Sequence, residues 1–217
     1  MLMSLKMRPL FFSLLLALRA FNVEAAVTDI SRIYNEMPSL NGFEICSGGG
    51  CAEIWHVKIS DEEWQLVVDI FSTTETGIIS QQAKATQERG RIAQAVGVLE
   101  IIVGDKTGTT TDRAGTFDNS NFSGQLDCND EAINTTSYIR LMRQAGLIQW
   151  HEVEDMRTRN FFFTGWPHTT AVIHEISNGQ RYAVDSWFYD NGLPAIIVPF
   201  SVWKSGYIPE DSPLAGN

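Results

Sequence analysis

Three residue types that together perform acyl transfer occur along this chain in the order Cys128, His168, Asp185. A cysteine that attacks an amide carbon must be a thiolate, an imidazole must hold and return the proton, and a third polar group must orient the imidazole. Their placement fits those roles. Ala132, Thr136, Ile139 and Met142, with Ile133 beside them, make the inward stripe of an amphipathic helix, and Cys128 lies on that stripe four residues before Ala132. It falls in the first turn, where unpaired N–H groups and the positive end of the macrodipole favour a thiolate. The plain alternative is a buried, inert core cysteine.

The elements that must position these residues follow from the pattern on either side. Ala145-Gly146 stops the Cys128 helix, and strands are expected at about 147–153, 160–164, 168–176, 180–188 and 194–202, so that His168 opens one and Asp185 falls in the next. Asn178-Gly179 reads as a two-residue hairpin turn. A helix followed by an antiparallel sheet makes the fold α+β. Upstream, Ile30, Ile33 and Met37 suggest a short helix over 27–40, and 52–59 alternates as a strand would. Ser60-Asp61-Glu62-Glu63 is a capping box that starts a helix carrying Trp64, Leu66, Val67 and Ile70. A longer helix over 80–103 buries Ile92, Ala95, Val96 and Leu99, after which 104–124 is loop.

Asp127-Cys128-x-Asp130-x-Ala132 resembles the nucleophile-helix pattern of transglutaminase-like proteins. His168 followed by Ala171-Val172-Ile173, then Gly179 and Tyr182-Ala183-Val184-Asp185, is similar to that family's His and Asp strands. Asp185-Ser186-Trp187 resembles the Asn-Ser-Trp of papain-like enzymes. The resemblance to this transglutaminase-like and papain-like superfamily covers about 124–200, and the ordered set is more specific than any one motif. It implies a nucleophile helix packed on an antiparallel sheet, here preceded by a helical layer. It also implies a cofactor-free enzyme acting on an amide of a peptide or protein substrate, by hydrolysis or transfer. Cys128 would be the nucleophile, His168 the base, Asp185 its orienter, and Trp187 and Trp166 would line the pocket. The rival reading is a catalytically inactive binding or assembly module.

Two features depart from the pattern. A two-residue turn at Asn178-Gly179 would set Val172, not His168, opposite Asp185, which leaves His174, of the same parity, as a rival base. Asp127, Asp130 and Glu131 crowd the thiol with negative charge, although acids there also cap a helix. The oxyanion would be met by the Cys128 N–H and a side chain, with Gln125 the nearby candidate.

Lys6 and Arg8 before the apolar run 10–18, with Val23-Glu24-Ala25 as a cleavage site, read as a secretory signal over 1–25, which places the protein in the periplasm or outside the cell. Its removal moves the formal charge from −10 to about −12 and leaves about 190 residues, enough for one domain. That domain, 26–217, divides into a mainly helical part (26–105), a loop (106–123) and the helix and sheet (124–217). No nucleic-acid partner suits such an acidic chain, and no later segment is apolar enough for a membrane. Cys46 and Cys51 enclose Ser-Gly-Gly-Gly, a flexible loop in which a disulfide is expected, leaving Cys128 free. The loop acids lack calcium-site spacing, and His151 with Glu152, Glu154 and Asp155 reads as a solvated strand end, so no metal is expected. Asn121 and Asn134 stand in glycosylation sequons.

Overall fold

The computed structural model describes residues 33–72, 80–160 and 167–215. The proposed signal segment and Trp166 lie outside those residues, as do residues 27–32 of the expected 27–40 helix; of the remainder, 33–35 are helical. Of that helix's stripe, Ile33 is buried whereas Met37 is exposed.

The architecture is α+β with two antiparallel sheets. A hairpin of β1 (Phe43–Ser47) and β2 (Glu53–Val57) comes first, a sheet within the part expected to be mainly helical. Helix α1 (Asp61–Phe71) starts at the Ser60 capping box, where the Ser60 hydroxyl accepts from Glu63 N and the Glu63 carboxylate accepts from Ser60 N. Val67 is its buried residue, while Leu66 is exposed. Helix α2 (Gln81–Thr107) runs four residues past the expected end, to Gly108 in the left-handed conformation. It buries Ile92, Ala95, Val96 and Leu99, the expected face.

Helix α3 (Cys128–Gln144) lies between that helix and the four-stranded sheet, and its Tyr138, Ile139 and Met142 join Ile92, Leu99 and Ile173 in the main core. The sheet has the order β3 (His151–Arg159), β4 (His168–Glu175), β5 (Arg181–Asp185), β6 (Ile196–Pro199). The apolar run expected as one strand over 194–202 is split: β6 ends at Pro199 and the chain turns into α4 (Phe200–Lys204). The first and second expected strands are also replaced, by β3 alone, with 161–164 outside the described residues.

The β4–β5 turn corrects the expected register. Asn178 does not have the positive φ that a two-residue type I′ turn requires; only Gly179 does. The loop is therefore four residues, closed by Glu175 N on Gln180 O, and Val172 faces Ala183 rather than Asp185.

The β1–β2 hairpin is fastened to α3 by Asn134, whose buried amide accepts from Cys46 N and donates to Cys46 O, both at 2.9 Å. That pairing removes Asn134 from reach of glycosylation. Cys46 and Cys51 form the expected disulfide, and Cys128 is the free cysteine. His151 is not a solvated strand end. It is fully buried, with Nδ1 2.8 Å from Glu88 and Nε2 3.1 Å from Arg89, tying β3 to α2. No helix of the described residues is long and apolar enough to cross a membrane.

Candidate active site

Cys128 is the first residue of α3 because Asp127 caps the helix there. The Asp127 carboxylate accepts from Asn129 N and Asp130 N, and the Asp130 carboxylate accepts from Asp127 N. The thiol is 8% exposed and packs with Ala183, Trp187, Phe188 and Trp203.

The hairpin register brings His168 to Asp185. Extending the pairing of Ala171 with Val184 puts Thr170 opposite Asp185 and His168 on the diagonal, within reach of a long side chain. His168 Nε2 lies 2.7 Å from Asp185 Oδ2, and both side chains are 2% exposed. With Nε2 engaged, Nδ1 is the nitrogen left for the thiol. Nδ1 is buried and closes no hydrogen bond among the described residues, and Cys128 is near enough to favour the charged imidazole. Burial opposes that charge most strongly. The charge and hydrogen bond of Asp185, helped by Cys128, outweigh it and push the His168 pKa up to about 9. The Trp187 ring covers the imidazole at 4.7 Å between centroids, and its Nε1 donates to Thr116 O at 2.8 Å.

Two candidates fall away. His174 pairs across the sheet with Arg181 and Glu152, is one-third exposed (33%), and lies 3.2 Å from Glu154, at the far end of β4. Gln125 is buried with its amide committed: Nε2 donates to Thr111 O and Ser123 O, and Oε1 accepts from Arg113 N. No donor remains there for an oxyanion.

The acids around the thiol have their own partners. Gly49 N and Cys51 N donate to the two oxygens of Asp130 at 2.8 and 2.6 Å, and Gly50 N donates to Asp127 at 2.9 Å. Gly48, Gly49, Gly50 and Cys51 all have positive φ, which turns these N–H groups inward together. Burial, then the charge of Asp127, nevertheless raises the Asp130 pKa to about 7. Glu131 points away into a buried group with Glu100 and Asp112. Burial, reinforced by mutual repulsion, holds Glu131 well above its ordinary value and raises Glu100 to about 8 and Asp112 to about 6. Ser186 Oγ donates to Glu131, Leu126 N to Asp112 at 2.7 Å, and Gly192 N to Glu100 at 3.0 Å. Much of the negative charge feared for the thiol is thus protonated near neutrality or held by N–H donors.

Two residues of the site escaped sequence reasoning. Trp203 is fully buried in α4, and its Nε1 donates to Asp185 Oδ2 at 2.6 Å. Arg159 stands opposite His168 in β3, and its Nη1 donates to Trp203 O and Tyr207 O at 2.8 and 3.0 Å. No side-chain cap announces α4, so nothing local marks Trp203 as leaving the strand.

Beside Trp187, a pocket of about 420 Å³ is lined by Arg113, Thr116, Phe117, Asn121, Phe122 and Gln125, with Phe117 edge-on to Trp187 at 5.6 Å. Its aromatic wall, Phe117 and Phe122, meets the site through Trp187. Among the described residues, the metal-type donor atoms that converge are those of Cys46, Cys51 and Asp130, and the two sulfurs are spent in the disulfide.

Comparison of the chain with protein-family models, with curated proteins and with solved structures gave no match in any of the three. The geometry and chemistry of the site are therefore what bear on function.

Proposed function

We propose that this chain is an exported cysteine enzyme of transglutaminase-like or papain-like type, cleaving or transferring an amide acyl group of a peptide or protein. What carries the reading is the arrangement around His168, whose Nε2 is held by Asp185, whose Nδ1 has no partner among the described residues, and whose charged form the neighbouring Cys128 favours. The Cys128 thiolate attacks the amide carbon and the carbon–sulfur bond forms. The oxyanion is met by the Cys128 N–H, one of the unpaired donors at the helix start. His168, charged in the resting pair, gives its proton to the departing amine as the carbon–nitrogen bond breaks, leaving a thioester. Water or a second amine then attacks, His168 takes its proton, and the thiolate leaves. Asp185 keeps the imidazole in one tautomer and orientation throughout.

The test is iodoacetamide alkylation of the folded mature protein against pH, with His168→Ala and His174→Ala alongside. Alkylation of Cys128 that persists at pH 6 and is lost only in His168→Ala supports the enzyme. A thiol that is unreactive at pH 6, or equally reactive in all three proteins, favours the inactive binding module instead.

A further inference from the structure

The same Asp185 oxygen serves two donors. Oδ2 takes His168 Nε2 at 2.7 Å and Trp203 Nε1 at 2.6 Å, and the Trp203 ring lies 5.7 Å from the imidazole. Asp185 is the last residue of β5, and Trp203 reaches it from α4, a five-residue helix too short to be rigid alone. Arg159 supplies the rigidity. Its Nη1 binds the carbonyls of Trp203 and Tyr207, joining the end of α4 to the following turn, and its guanidinium lies 5.0 Å from the Trp203 ring. Arg159 is 5% exposed; burial lowers its pKa, and the charges of Asp185 and Cys128 only partly offset that.

We propose that Trp203, anchored by Arg159, is a positioning residue that fixes the Asp185 carboxylate under His168. This rests on reading His168 as the working base. Among the described residues, the groups facing the imidazole are Asp185 from β5, Cys128 from α3, Arg159 from β3 and the rings of Trp203, Trp187 and Phe188, so a change in its titration can be assigned among few partners.

Two roles for the indole predict opposite signs. A donor that only drained charge from Oδ2 would, once removed, leave Asp185 a stronger partner, and His168 would hold its proton more tightly. A positioning donor, once removed, frees the carboxylate to turn away, and His168 loses its proton more easily.

The experiment is an NMR titration of His168 in the folded mature protein, wild type against Trp203→Phe, which keeps a ring and removes the N–H. Positioning predicts a roughly tenfold fall in the proton affinity of His168. An unchanged or increased affinity overturns it. If Trp203→Phe does not fold, the Trp203 indole proton of the wild type decides: it must resist exchange with solvent and shift in step with the His168 titration. A resonance indifferent to that titration overturns the proposal. Failure of the enzyme reading is seen separately, as alkylation of wild-type Cys128 that does not follow the His168 titration.

Discussion

The backbone N–H of Cys51 donates to Asp130 Oδ1 at 2.6 Å, so a residue of the disulfide directly holds an acid in the first turn of the Cys128 helix. With Gly49 and Gly50 it makes a small N–H cradle for the carboxylates of Asp127 and Asp130, which flank Cys128 along the chain. Reduction with dithiothreitol, or Cys46→Ser with Cys51→Ser, should release that cradle. The chain-entropy cost of opening so short a loop is about 2 kcal/mol of stability. Urea midpoints measure it, and alkylation of Cys128 at pH 6 should slow in the same variant. Unaltered alkylation would mean the cradle does not govern the thiol.

Cys128→Ala should abolish thiol labelling while changing stability little. The side chain is small, sits at a helix start rather than mid-core, and its neighbour His168 retains Asp185. A loss under about 1.5 kcal/mol is expected, read from urea midpoints with mass spectrometry of the labelled protein.

Asn134→Ala should be costly because it strands two buried groups, the N–H and the C=O of Cys46. Each unpaired backbone group costs about 1–3 kcal/mol, so the variant should lose roughly 2–6 kcal/mol in urea unfolding. A loss below 1 kcal/mol would show that water or a shifted hairpin replaces the amide.

Stability should fall as the solution becomes alkaline. Glu100 and Asp112 have folded pKa values raised from 4.5 to about 8 and from 3.8 to about 6, so the folded state holds protons the unfolded state has released. Their contribution is complete below about pH 4 and is lost as pH rises through 6 and then 8. His168, raised from 6.5 to about 9, acts in the same direction from pH 6.5 upward. Urea midpoints at pH 5 should therefore exceed those at pH 8.5. Glu100→Gln, neutral at every pH, should reduce the difference by on the order of 1–2 kcal/mol.

Where local chemistry was sufficient, the sequence was readable. Ser60 and Glu63 cap each other three residues apart, the stripe through Ala132, Ile139 and Met142 is buried as spaced, and the loop between Cys46 and Cys51 is short enough to close. His168 and Asp185 fell on adjacent strands because their flanking apolar runs are strand-like. What was hidden depends on tertiary geometry. Asn178-Gly179 is compatible with two turn types, and the one adopted moves Asp185 from opposite Val172 to opposite Thr170, which is what lets His168 reach it. Trp203 continues an apolar run that reads as strand, and only the packing of α4 against Asp185 and Arg159 turns its indole inward. The partners that occupy Gln125 sit in loop backbone, where periodicity carries no information.

The cysteine spacing also bears on how the protein matures. Cys46 and Cys51 are five residues apart, and both leave the ribosome well before Cys128. Closing that short loop costs far less chain entropy than joining either partner to Cys128. In an oxidising compartment the early pair is therefore consumed by itself. The third sulfur emerges with no nearby partner to trap it, and a chain with an odd number of cysteines keeps its third thiol free by loop length and order of synthesis together.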